Sequence, residues 1–192
     1  MDYTKSTALI VVDFQNDFAD PSGSLYVSGG DEAIEFVNDE IEKARTAGAT
    51  IVYSQDWHPP STPHFAKDGG IWPVHCVAGS QGARFHPELE VVDDAVVIKK
   101  GGQGEDGYSA FSMKDPETGE VTSTGLADRL TSIERVVIVG LALDYCVKET
   151  ALDAVPHFET VVLADGTRAV NLAPGDGARA VAAMVSAGVT VA

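Results

Sequence analysis

Val136-Val137-Ile138-Val139 is a continuous apolar run of β-branched residues, with no polar residue alternating through it. A strand of that pattern is buried on both faces, and such strands belong to parallel sheets covered by helices above and below. Gly140 ends the run. Asp144 is a good helix N-cap, and Tyr145 to Val155 reads as a helix. Cys146 therefore falls in the first helical turn, just past the carboxyl end of a strand. There, unpaired N–H groups and the helix dipole lower a thiol pKa and can hold an oxyanion. A lone cysteine is more often a packing residue, so position alone leaves both roles open.

The same kind of run recurs at Thr7 to Val12. Further strands are expected at Ala49 to Ser54, within Val91 to Lys99, at Thr160 to Ala164 and at Val189 to Val191. Between them lie helical patterns. Asp31 caps a helix to Ala47, with Ile34, Val37, Ile41 and Ala44 at helical spacing. Ser123 or Thr124 caps a short helix to Leu130, and Pro174 opens a last helix to Ala187. This alternation predicts an α/β fold with three α/β/α layers and a mostly parallel central sheet. In such sheets, sites lie at the carboxyl ends of the strands. Asp13, Asp56, Lys100 and Cys146 each fall just past a strand. The 192 residues contain no repeat, low-complexity stretch or linker, so one domain over residues 1–192 is expected.

A net charge of −16 argues against nucleic acid, which needs a basic footprint. No apolar run approaches the roughly 20 residues that span a bilayer. The first residues resemble no signal peptide, and the two cysteines, Cys76 and Cys146, make no disulfide framework. Reduced thiols in the cytoplasm and a small-molecule substrate are the expectation; association into a homo-oligomer stays open.

Residues 55–87 are long and irregular, with five prolines and four of the five histidines. An ordered loop of this length is usually functional. Asp56 and His58 project from the same face of an extended chain, so carboxylate and imidazole can converge on one cation. His64 and His75 follow in the same loop. Such a set suits Zn, Mn or Fe. His86, His157 and Cys76 read as structural. Gly102-Gln103-Gly104-Glu105-Asp106-Gly107 has the spacing of a dinucleotide loop. It is rejected, because no amphipathic helix follows directly and two acids would repel a pyrophosphate. Of Lys99 and Lys100, alternation lets only one face the site. Trp72 and Tyr108 lie in irregular segments, where large aromatics line pockets.

Four patterns resemble the nicotinamidases within the isochorismatase-like cysteine hydrolases. They are the apolar strand ending in Asp13 with Gln15-Asn16-Asp17-Phe18; Asp56-Trp57-His58 with His64 and Trp72-Pro73-Val74-His75-Cys76; Lys100-Gly101 leading to Tyr108-Ser109-Ala110-Phe111; and Gly140-Leu141-Ala142 through Asp144-Tyr145-Cys146-Val147. The similarity runs from Asp13 to the last helix. It implies a catalytic triad of Asp13, Lys100 and Cys146, with adjacency to Gly101 deciding for Lys100 over Lys99. It also implies a cis Leu141–Ala142 peptide, and an oxyanion hole of the Ala142 and Cys146 N–H groups. Phe18, Trp72 and Tyr108 correspond to the walls of a nicotinamide pocket. Asp56, His58, His75 and His64 correspond to ligands of one divalent transition metal ion. The implied reaction is hydrolysis of nicotinamide, and of pyrazinamide, through a Cys146 thioester. The alternatives are a related hydrolase acting on another small amide, a hydrolase using metal-activated water beside an inert Cys146, and a binding protein without catalysis.

Overall fold

Strand β1, Thr7–Val12, sends Leu9 and Val11 to one side and Ala8, Ile10 and Val12 to the other, and every one of these side chains is fully buried. Period-two alternation with apolar residues on both faces leaves such a strand only one place, the middle of a covered sheet. The computed structural model, which describes residues 1–93 and 95–192, shows that sheet. Its strands are β1, β2 (Thr50–Asp56), β3 (Val96–Lys100), β6 (Arg135–Leu141), β7 (Glu159–Arg168) and β8 (Thr190–Val191). They lie in the order β3-β2-β1-β6-β7-β8, and every pairing is parallel.

Helix α1 (Asn16–Ala19) and helix α2 (Ile34–Ala47) cover one face; α3 (Leu126–Arg129), α4 (Lys148–Ala154) and α5 (Asp176–Ser186) cover the other. The three expected layers are present. The chain runs outward from β1 in both directions, so the order of strands reverses between β1 and β6. The crevice at that reversal is where ligands bind in open parallel sheets.

Several boundaries differ from the sequence reading. The third strand starts at Val96 and ends on Lys100; Asp94, inside the expected range, lies outside the described residues. Asp56 and Lys100 close their strands instead of following them. Residues 101–119 are not wholly irregular, because β4 (Ser112–Lys114) pairs with β5 (Val121–Ser123) as a hairpin. Asp31 does not cap α2. It begins a short 3-10 turn and accepts the Tyr26 hydroxyl. The N-cap position of α3 is Gly125, one residue past Thr124, whose hydroxyl nonetheless accepts the Leu126 N–H at 3.3 Å. Pro174 precedes α5 by two residues.

The largest difference lies beside Cys146. Gly140 does not end β6 but sits inside it, opposite Val12. It has φ +128°, and a Cβ there would fall 2.1 Å from the Val12 carbonyl oxygen. Only glycine allows the ends of β1 and β6 to approach so closely. Past Leu141 the backbone makes a π-turn, Leu143–Val147, before the α-helical geometry of α4 begins. Asp144 is not its cap. Its carboxylate accepts the N–H groups of Val170 (2.9 Å) and Asn171 (2.8 Å), tying the turn to the loop after β7.

Candidate active site

Lys100 is fully buried at the end of β3. Its Nζ lies 2.6 Å from Asp13 Oδ2 and also contacts Asp56 Oδ1, the Gly107 carbonyl and, at 3.6 Å, Cys146 Sγ. Lys99 points the other way, with its Nζ 3.6 Å from the Trp57 ring centroid at the surface. Alternation in β3 thus separates the two lysines as expected. Asp13 follows β1 with φ +50°, a left-handed turn that aspartate tolerates better than most residues. The turn points its carboxylate inward, where Ser54 Oγ donates to Oδ1 at 2.7 Å.

Four titratable groups therefore share one buried point. For Asp13, burial dominates and raises its carboxyl to about 6, against the pull of Lys100; Asp56 adds to the rise. Burial also opposes ionisation of Asp56, but Lys100, His58 and His75 outweigh it and hold that carboxyl well below its usual range. Burial lowers Lys100, yet Asp13, Asp56 and Cys146 more than compensate, so it stays an ammonium. For Cys146, burial raises the thiol well above its ordinary value, Lys100 pulls down, and the two carboxylates push up. This corrects the expectation of a thiol pKa lowered by a helix start. The turn is π-type and the sulfur is deep among acids, so the resting group is a neutral thiol.

Asp56 faces two ways. Its Oδ1 meets Lys100, while Oδ2 lies 3.5 Å from His58 Nε2 and 3.7 Å from His75 Nε2. His64 stacks on His58 with ring centroids 4.7 Å apart. One ring nitrogen from each of His58, His64 and His75 lies within 4.8 Å of the others. His58 and His75 are buried and His64 is half-buried. Neither nitrogen of His58 has a hydrogen-bond partner among the described residues. Leaving buried imidazole nitrogens unpaired is costly. His75 Nδ1 meets the Pro73 carbonyl at 2.7 Å, which directs Nε2 inward. Burial, with His58 beside it, lowers His64 to about 3, so it offers a lone pair at neutral pH. Three imidazoles and one carboxylate fit a borderline divalent cation. Gly101 makes the packing possible: a Cβ there would sit 2.6 Å from His58 Cε1. Asp13, Asp56 and Cys146 also cluster, but the Lys100 ammonium already fills their midpoint.

Above these groups lies a small cavity that opens to solvent. Phe18, Trp72 and Tyr108 line it as expected, with Asp56, His64, His75, Ala142 and Cys146 at its base. Trp72 Nε1 donates to the Tyr108 hydroxyl at 2.9 Å. The Leu141–Ala142 peptide is cis, and the Ala142 carbonyl accepts from Tyr145 and Val147, on either side of Cys146. Asp13, Lys100 and His58 stand behind the lining. Cys76 is buried in the apolar core, as read from sequence.

Sequence reasoning missed Leu25, Val27, Tyr145 and Val170 as cavity walls, and Ser54 as the partner of Asp13. Tyr145 packs edge-on against Trp72 with centroids 4.8 Å apart. Its place next to Cys146 was the one available signal. The others come from strand and loop positions whose residue types look like core.

The isochorismatase domain family matches residues 7–192. The chain is 38% identical to the nicotinamidase of Escherichia coli (strain K12) over 203 residues, covering 96% of this chain and 93% of that one. Among solved structures, the pyrazinamidase of Pyrococcus horikoshii in complex with zinc superposes with a TM-score of 0.85 at 40% identity, covering 97% of this chain and 98% of that one. PnC1 from L. infantum in complex with nicotinate gives 0.88 at 36%, covering 100% and 95%. The chain belongs to the isochorismatase family.

Proposed function

We propose that this isochorismatase-family chain is a nicotinamidase, hydrolysing nicotinamide to nicotinate and ammonia through a thioester on Cys146, and that it also accepts pyrazinamide. The observation that carries the reading is the Cys146 thiol at the floor of an aromatic-walled cavity, 3.6 Å from a buried ammonium that also holds Asp13. An aromatic slot fits a flat heteroaromatic ring, and the likeness to a nicotinamidase and to a nicotinate complex agrees.

Asp13 takes the thiol proton as sulfur attacks the carboxamide carbon. A base raised to about 6 is mostly ionised at neutral pH yet basic enough to accept a proton. Because the resting thiol is neutral, proton transfer and attack proceed together. Lys100 stays charged throughout and stabilises the thiolate character that develops. The N–H groups of Ala142 and Cys146 hold the oxyanion. As the tetrahedral carbon collapses, Asp13 returns the proton to the departing nitrogen and ammonia leaves. Water, deprotonated by Asp13, then cleaves the thioester, releasing nicotinate and restoring the thiol. Phe18, Trp72 and Tyr108 hold the ring, with Tyr145 closing the side.

Asp56, His58, His64 and His75 would hold one divalent ion, zinc by analogy with the P. horikoshii pyrazinamidase and iron or manganese on donor chemistry alone. Such an ion supplies a Lewis-acid site for the pyridine nitrogen. In this reading residues 1–192 form one catalytic domain, and its free thiol suits the reducing cytoplasm. The experiment is ammonia release from nicotinamide by the wild type and by Cys146→Ala, with mass spectrometry of the quenched wild type. Turnover by the wild type, none by the variant and a nicotinoyl adduct on Cys146 are expected. Activity in Cys146→Ala within about tenfold of wild type, a difference of only about 1.4 kcal/mol in barrier, would overturn the thioester and favour metal-activated water.

A further inference from the structure

Gln15 and Asp17 follow β1 and form no part of the cavity lining. Both side chains reach the segments that carry Asp56 and His75. Gln15 is fully buried. Its Nε2 donates to the Asp56 carbonyl (2.8 Å) and the Ala83 carbonyl (2.9 Å), and its Oε1 accepts the Asp56 N–H at 2.8 Å. The β1–β2 ladder ends at Val12 opposite Ser54, where the chain turns at Asp13. The Gln15 amide continues that ladder in place of backbone and holds both polar groups of Asp56.

Asp17 does the same for the histidine loop. Its Oδ2 accepts the Cys76 N–H at 2.7 Å and its Oδ1 accepts the Ser24 N–H at 3.2 Å. The Cys76 N–H belongs to the peptide that joins Cys76 to His75, so this bond orients the backbone from which the His75 ring departs. Cys76 has φ +44°, unfavourable for a residue with a Cβ. A charge-assisted hydrogen bond offsets that cost. The carboxylate sits against Gly82, where a Cβ would lie 2.0 Å from Oδ2.

We propose that Gln15 and Asp17 are positioning residues of the metal site: they hold Asp56 and His75 by their main chains and touch neither ion nor substrate. The inference rests on Asp56 and His75 being ligands, as in the function proposed above. Partners that orient metal ligands typically change affinity by about 10–100-fold when removed.

The test measures zinc affinity of the full chain without substrate, by competition with a chromophoric chelator. Gln15→Met keeps the shape and loses the three bonds; Asp17→Ala loses both of its own. Each is expected to bind zinc about 10–100-fold more weakly than wild type. Asp17→Asn keeps one acceptor for the Cys76 N–H and is expected to recover most of that loss. Asn38→Ala controls for general loosening, because Asn38 clamps a different loop through the Glu88 carbonyl (2.7 Å) and the Glu90 N–H (2.8 Å). Its zinc affinity is expected to match wild type. Unchanged affinity in Gln15→Met and Asp17→Ala, an equal loss in Asn38→Ala, or a wild type that binds no zinc overturns the proposal. A wild type that binds zinc but releases no ammonia from nicotinamide defeats the proposed activity and leaves this inference standing.

Discussion

Lys100 and Lys99 are adjacent and chemically identical, yet one is sealed between two carboxylates and the other lies over Trp57 at the surface. Lys100→Ala leaves Asp13 and Asp56 facing each other without a cation. Breaking a buried pair this way costs about 3–5 kcal/mol, and turnover should fall by orders of magnitude. Lys99→Ala forfeits only an exposed cation–π contact worth about 0.5–1 kcal/mol, and ammonia release should be unchanged. Melting curves and steady-state rates on the two variants check this; sensitivity at Lys99 would mean the register of β3 is wrong. In the proposed mechanism Asp13 carries the pH dependence. The base must be ionised, so kcat/KM should hold above pH 6 and decline below it, following the raised carboxyl of Asp13. Ser54 donates to that carboxylate and pulls its pKa down. Ser54→Ala should therefore move the acidic limb to higher pH. A limb that stays put, or moves down, would remove Asp13 as the titrating base.

At the scale of elements, the site depends on how β1 and β6 end. Gly140 lets Val12 approach, and the π-turn after Leu141 then sets Cys146 beside Lys100. Gly140→Ala forces a Cβ onto a backbone carbonyl in the middle of the sheet, where neither strand can move aside. A loss on the order of 4 kcal/mol or more is expected, which marks a severe core clash. For a chain of this length that corresponds to a fall in Tm of roughly 8 °C or more. Thermal denaturation checks it; an unchanged Tm would show that the two strands can part. Asp144 shows why an N-cap pattern can mislead. A carboxylate just before a helix can bond to the helix's own N–H groups or to a neighbouring loop. Here the loop at Val170 and Asn171 takes both oxygens, which also fixes Val170 as a cavity wall.

For the molecule as a whole, the nucleophile and part of the cavity wall are built into the core, whereas the candidate metal ligands are carried outside it. Phe18 and Ala142 belong to one apolar cluster and Cys146 to the other, while His58, His64 and His75 lie in the segment after β2. Chelation, or His58→Ala, should abolish metal binding and most nicotinamide turnover while leaving a cooperative melt. Iodoacetamide should label Cys146 at the same slow rate as in the wild type, because the burial, Asp13 and Lys100 that set the thiol's ionisation stay in place without the ion. Elemental analysis and labelling rates test both parts. A His58→Ala protein that keeps its metal would take His58 out of the set; one whose thiol falls silent would couple the metal to the nucleophile. Among the described residues, no helix is long and apolar enough to cross a membrane.

The local sequence determined the layers. Apolar runs such as Thr7–Val12 and Val136–Val139 can be buried only in a covered parallel sheet, and that sheet places Asp13, Asp56, Lys100 and Cys146 at one edge. Periodicity also placed α2 and turned one lysine inward. Those are short-range properties, set by the period of a strand or a helix. Tertiary structure alone decided the rest. The Cys146 thiol is neutral at rest because desolvation and two carboxylates from other strands outweigh one ammonium. Tyr145 and Val170 became cavity walls, and Gln15 and Asp17 came to grip Asp56 and the His75–Cys76 peptide, through contacts between segments distant in sequence. A side chain's pKa and its partners depend on what the fold brings within a few ångströms, and no local pattern carries that information.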